Sequence, residues 1–163
     1  MNRTASTGQL GMAMPPFATT TLRLESRMRS STKQVFAVWT EASRLRRVFQ
    51  TAALDDETIE LEFKPKVSAP LRLTVRRGSE ERRFTGEVVE FDAPRQISFT
   101  WVAHEASKET TLVAVGVLPA KSVWGGTDVL LTHERVLIAD AETTRAWWTR
   151  VLGAVSTVAS QMR

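Results

Sequence analysis

The sequence predicts an α+β fold: a seven-stranded curved antiparallel sheet, two short helices after the first strand, and a long C-terminal helix across the sheet. Three observations carry the prediction. Residues 86–101 and 125–133 read as strand–turn–strand signals, with turn residues between runs of aromatic and β-branched side chains. A long amphipathic helix around Trp147-Trp148 then comes last. A curved sheet closed by a helix encloses space, and a ligand is expected there.

Residues 1–17 show no periodicity and include Pro15-Pro16, so they read as a disordered lead-in before a single domain, 18–163. Met1, Met12 and Met14 are all candidate starts. From 20 to 29 the chain alternates, Leu22, Leu24, Ser26 and Met28 on one side and Arg23, Glu25, Arg27 and Arg29 on the other. Ser31 or Thr32 offers an N-cap to a short helix with Val35, Phe36, Val38 and Trp39 inward. A second helical segment, 41–49, sets Leu45, Val48 and Phe49 beside exposed Arg44, Arg46 and Arg47.

The remaining strands follow in sequence. Segment 58–63 points Ile59, Leu61 and Phe63 inward, and 71–75 points Leu71, Leu73 and Val75 inward. Gly78-Ser79-Glu80 turns the chain into 83–91, and Asp92-Ala93-Pro94 turns it again, since Pro cannot donate within a central ladder. Segment 96–102 then groups Ile97, Phe99 and Trp101. Strands 110–118 and 127–134 complete the sheet, joined through Pro119, Gly125 and Gly126. Short connections throughout, apart from the helical insert, favour antiparallel pairing. Segment 110–118 is apolar on both faces, with Val113, Val115 and Val117 opposed to Leu112, Ala114 and Leu118. Its outer face calls for cover by another element or by a second copy, a homodimer through this sheet. The last helix, N-capped by Asp140 and running to about 162, is ~33 Å long at ~1.5 Å per residue.

Composition narrows the function. The absence of cysteine excludes disulfides, thiolate nucleophiles and Cys-ligated metals, and only His104 and His133 are available as imidazoles. No metal or cofactor is expected. No apolar run approaches the ~20 residues of a membrane span, and no apolar secretion signal opens the chain, so no membrane partner and a cytoplasmic location are expected. The net charge of +4 and pI near 10.1 invite a nucleic-acid partner. The basic residues are scattered, however, without interleaved aromatic platforms, and read as a solvated face with no nucleic-acid partner.

The order of elements resembles the helix-grip, START-like (SRPBCC) superfamily. Within it the chain resembles the family named after the C-terminal domain of the activator of heat-shock-protein-90 ATPase, which includes many small bacterial proteins. The residues that carry the match are Val35-Phe36-Ala37-Val38-Trp39-Thr40, the stretch from Gly86 to Trp101 with its Pro-Arg turn, Gly126-Thr127 leading into Leu131-Thr132-His133, and the Trp-rich start of the last helix. Two departures fall near the expected rim of the cavity. Val48-Phe49 replaces a common tryptophan pair, and Lys66-Val67-Ser68-Ala69-Pro70 replaces a Gly-Gly turn.

The ligand-lining side chains are expected to be Ile97, Phe99, Trp101, Val129, Leu131, His133, Trp148, Val151 and Val155, with Phe49 at the entrance. All but His133 would act by shape and desolvation. His133 shares the side of Val129 and Leu131 and could serve as a hydrogen-bonding or acid–base group. No carboxylate is placed to orient it, which favours a strand-end histidine satisfied by backbone or water. Trp147 and Trp148 lie ~100° apart on the helix, so one of them should be core. Glu60 and Glu62 point outward, and Glu87 and Glu90 have opposite parity unless a bulge intervenes near Val88-Val89, so no catalytic residue is assigned. Gly125-Gly126 lacks the Lys-Ser/Thr of a phosphate loop. The function read from the chain is binding of a small apolar or amphipathic ligand between sheet and helix. The alternatives are a protein-interaction module of the type the family name suggests, and a cyclase- or hydrolase-like enzyme.

Overall fold

A computed structural model describes residues 18–106 and 108–162, and the expectation for 1–17 lies outside the described residues. The strands are β1 (Thr19–Met28), β2 (Thr58–Phe63), β3 (Pro70–Arg77), β4 (Glu80–Asp92), β5 (Gln96–Ala103), β6 (Thr111–Pro119) and β7 (Thr127–Leu137). The helices are α1 (Thr32–Thr40), α2 (Ala42–Ala52) and, after a short 3-10 turn at Ile138–Asp140, α3 (Ala141–Ser160). The seven strands form one antiparallel sheet in the order β1-β7-β6-β5-β4-β3-β2. The chain is therefore a meander from β2 to β7, with β1 added at the far edge beside β7.

Local chemistry accounts for the boundaries. Ser31 caps α1 reciprocally, its hydroxyl accepting from Gln34 N–H at 3.2 Å while Gln34 Oε1 accepts from Ser31 N–H at 3.0 Å. Asp140 holds the N-cap position of α3, but its side chain makes no capping hydrogen bond. The register of β4 on β5 shifts between Val88 and Glu90, and the bulge turns Glu90 toward Gln96 and Ser98. Two glycines of the predicted turns and strands are demanded by backbone proximity. A Cβ on Gly86 would lie 1.8 Å from Thr100 O, and one on Gly126, at φ +98°, would lie 2.4 Å from Met28 O.

The core lies between the concave face of the sheet and the helices. Val113, Val115, Val117, Val129 and Leu131 meet Trp148, Val151, Leu152 and Val155 of α3, with Val35, Val38, Leu45 and Val48 of α1 and α2 alongside. Phe49 is wholly buried and stacks on Trp147 at 5.7 Å. The convex face is different. Arg72–Glu62 and Arg27–Asp128 pair across neighbouring strands at 2.7 Å, and Arg76 bridges Glu60 and Glu81. This confirms that Glu60 and Glu62 face outward. On the same face Leu112, Ala114 and Leu130 are half-buried and Leu118 is exposed. Among the described residues no helix is long and apolar enough to cross a membrane.

Candidate functional site

A cavity of about 220 Å³ lies at one end of the seam between sheet and helix, where β4, β5, β6 and β7 meet the first two turns of α3. Phe84, Trp101, Thr111, His133 and Val136 form its floor, Thr143, Thr144 and Trp147 of α3 form a wall, and Arg82, Arg83, Glu105, Glu109 and Asp140 stand around the mouth. Period-two alternation explains why these strands deliver their residues together. Trp101 pairs with Thr111, and Val113, the next inward residue of β6, pairs with His133.

Aromatic side chains shape the interior. Phe84 stacks on Trp101 at 5.1 Å, and Trp101 leans on Trp148 at 5.4 Å behind it. Trp147 is held between the Phe49 ring and the Arg150 guanidinium, the latter 5.8 Å from its ring centre. Arg150 is itself anchored by donating to Ala52 O at 3.0 Å.

One hydrogen-bond chain runs beneath the floor, and its polarity follows from what each group can do. The indole of Trp148 can only donate, so its Nε1–H at 2.9 Å makes His133 Nδ1 an acceptor. The ring proton of neutral His133 therefore sits on Nε2 and is donated to Thr111 Oγ1 at 2.7 Å. Thr111 in turn donates its hydroxyl proton to Trp101 O at 2.6 Å. His133 is 3% exposed, and burial pushes its pKa down from 6.5 to about 4. A second proton would also set an N–H against the Trp148 N–H. The imidazole is therefore a neutral structural link with both nitrogens committed to side chains, not to the backbone or water expected from sequence. The Thr111 hydroxyl keeps one acceptor lone pair that no group among the described residues uses.

At the mouth, Arg83 pairs with Glu105 at 3.0 Å, and Arg82 pairs at 2.7 Å with Glu57, which is buried and also accepts from Leu54 N–H at 2.8 Å. Among the described residues there is no group of His, Asp or Glu side chains arranged to hold a metal ion.

The expected lining residues separate into two sets. Trp101 and His133 line the cavity. Ile97, Phe99, Val129, Leu131, Trp148, Val151 and Val155 pack against one another in the closed core, each at most 2% exposed. Phe49 is not at an entrance but beneath Trp147. The 66–70 turn, expected near the rim, joins β2 to β3 at the opposite end of the sheet, where Ser68 adopts a φ of +73°. Sequence reasoning missed Phe84, Thr111 and Val136, and of the Trp147-Trp148 pair it placed Trp148 at the cavity where the structure has Trp147. The signal for Thr111 was available, since it precedes inward Val113 by two positions.

A sequence profile of the family described as Activator of Hsp90 ATPase homolog 1-like protein matches residues 29–158. Solved structures agree on the fold. A Chromobacterium violaceum protein superposes with a TM-score of 0.76 at 14% identity, covering 87% of this chain and 98% of its own. A Rhodobacter sphaeroides protein gives 0.73 at 16% identity, covering 91% and 97%. A protein of this family type from Aeromonas hydrophila gives 0.69 at 19% identity, covering 86% and 92%. No curated protein sequence matches the chain. The chain belongs to the Activator of Hsp90 ATPase homolog 1-like family, within the START-like superfamily.

Proposed function

We propose that this member of the family binds a small, largely apolar molecule in the end cavity bounded by Phe84, Trp101 and Trp147. The observation that carries the reading is an aromatic enclosure whose polar floor group, Thr111, retains one unused acceptor site. A volume of about 220 Å³ suits one ring with a short substituent, since benzene occupies an apolar cavity of ~150 Å³. A single hydroxyl or N–H donor on that ligand would complete Thr111. No acid–base step is assigned to His133, because taking up or releasing a proton would break a bond it makes to Trp148 or Thr111.

Native mass spectrometry of freshly purified protein, compared with its denatured mass, tests this directly. A co-purifying mass of single-ring size supports the reading. No bound mass, together with no displacement of an apolar fluorescent probe by phenol-like compounds, refutes it.

The protein-interaction alternative draws support from the closed seam, where Ile97, Phe99, Leu131 and Val155 leave no room for a ligand. Its test is whether the chain raises the turnover of a heat-shock-protein-90 ATPase. A homodimer through the outer face of β6 draws support from half-exposed Leu112 and Ala114 and exposed Leu118. A monomeric mass by light scattering at micromolar concentration would end that proposal.

A further inference from the structure

Four connections leave the sheet by the end opposite the cavity: β1 to α1, β2 to β3, β4 to β5, and β6 to β7. Across these connections and the first turn of α1 stand Arg29, Lys33, Lys64, Lys66, Arg95 and Lys121, all exposed, with no acidic residue in segments 29–33, 64–69, 93–95 or 120–126. Arg95 pairs with Asp92 at the end of β4, whereas the other five make no ion pair among the described residues. The arginines on the convex face are largely paired with carboxylates. Of the cations at this end, Arg95 alone is so paired among the described residues.

The β6–β7 connection adds the apolar component. Val123 is 94% exposed and Trp124 92% exposed, side by side at its tip. The loop that carries them is closed and hydrogen-bonded. Ala120 N–H donates to Gly126 O at 3.0 Å, Gly125 N–H to Ser122 O at 3.1 Å, and Trp124 N–H to Ser122 Oγ at 3.1 Å. Gly126 at φ +98° lets the base of the loop lie against Met28 and Arg29, since a Cβ there would meet Met28 O. Val117 N–H donates to Arg95 O at 2.8 Å, which brings the β4–β5 turn beside the same strand. Arg29, Arg95 and Lys121 thus stand around a hydrogen-bonded loop that presents two apolar side chains to solvent.

The geometry points to this end as a docking surface for an anionic lipid bilayer, with Trp124 and Val123 entering the headgroup region and the cations facing the lipid charge. Tryptophan is the side chain best suited to that boundary, with an apolar ring and one N–H donor. Stable peripheral binding needs two signals, apolar insertion and electrostatic attraction, and both are on this end. The sequence-level expectation of no membrane partner rested on the lack of a span, which a peripheral contact does not require. A nucleic acid fits less well, because Trp124 is the one exposed aromatic side chain among the described residues, where a bound strand calls for successive stacking platforms along a basic groove.

The full chain is titrated with phosphatidylcholine vesicles with and without phosphatidylglycerol at low and high salt, reading sedimentation and tryptophan emission. Trp39, Trp101 and Trp148 are buried and Trp147 is half-buried, so a blue shift on binding reports chiefly Trp124. The expected result is binding only to the anionic vesicles, lost at high salt, with a blue shift absent in Trp124→Phe. Lys121→Ala with Arg29→Ala should weaken it about fivefold per charge, and Val123→Ser with Trp124→Ser should abolish it. No binding at low salt overturns the proposal, as does binding that the Val123/Trp124 double variant leaves unchanged. Binding to a single-stranded oligonucleotide and not to vesicles overturns it in favour of nucleic acid. Unchanged urea midpoints of the variants exclude misfolding as the cause of lost binding.

Discussion

The two ends of the sheet are built on opposite principles. At the cavity end the connections carry Asp55, Asp56, Glu57, Glu105, Glu109 and Asp140 against Lys108, and polar groups are largely used within the molecule. Glu57 and Glu105 hold arginines, and His133, Thr111 and Trp148 satisfy one another. At the other end the connections and the first turn of α1 carry six cations, five of them unpaired among the described residues, and an exposed Val-Trp pair. An end whose polar groups are internally satisfied can recognise a ligand mainly by shape. An end whose charges are unpaired can act over a distance on an oppositely charged surface. The difference predicts that substitutions at the cavity end cost stability, whereas those at the basic end leave it intact.

The largest effect should come from His133→Ala. It removes a buried ring and strands the Trp148 N–H without its acceptor, at a cost of about 3–5 kcal/mol in urea unfolding. A loss below about 1 kcal/mol would mean that the hydrogen-bond chain does not organise this end.

Acid should act through the same residue. The folded pKa of His133 lies near 4 and the ordinary value near 6.5, so between them the unfolded chain takes up a proton that the folded chain refuses. Stability from this group is therefore full above about pH 6.5 and falls as pH drops toward 4, by about 3 kcal/mol in total. His133→Gln should lack this part of the acid loss while keeping the contribution of the carboxylates. Parallel curves for the two proteins between pH 7 and 4.5 would contradict the assignment.

Thr111→Val should cost about 2 kcal/mol, because it keeps the shape but leaves the His133 Nε2–H and Trp101 O without their partner. Thr111→Ser should restore most of the loss. Trp147→Ala addresses binding more than folding. Losing the ring that walls the cavity should weaken an apolar probe about tenfold, and unchanged probe affinity would separate the cavity from any ligand-binding role.

Much of the fold was legible because its signals are local. Alternation in 58–63 and 96–102, the Ser31 cap and the Pro94 turn each depend on a few neighbouring residues, and the strands and α1 formed there. The turn role of Gly125-Gly126 was legible for the same reason, whereas the bulge near Val88-Val89 stood in the sequence only as an open alternative. The position of the cavity was not. Inward parity placed Leu131 and His133 on one face correctly, but which level of the seam stays open depends on how Trp148, Phe99 and Val155 fill it, a tertiary property. Charge segregation was hidden for a topological reason. Successive connections of a meander alternate between ends, so basic residues scattered along the chain collect on one end only once the strands pair. Four of the five lysines, Lys33, Lys64, Lys66 and Lys121, gather this way, with Lys108 at the other end.

The smallest expected effect is the sharpest test of the contrast. Trp124→Ala deletes the largest exposed side chain of the molecule, 92% accessible, in a loop whose hydrogen bonds use backbone atoms and Ser122 Oγ. A buried tryptophan truncated to alanine costs about 3–5 kcal/mol, but one that contacts almost nothing should cost no more than ~0.5 kcal/mol. The urea midpoint should therefore match the parent protein within error, and the Lys121→Ala midpoint should do the same. A loss above about 1 kcal/mol in Trp124→Ala would show that the indole packs against the body in solution. The two ends would then be alike in their internal satisfaction, and the argument for an outward-facing apolar tip would fail with the contrast. A neutral result leaves the tryptophan without a folding role, so the reason for placing so much apolar surface beside unpaired cations has to be sought outside the molecule.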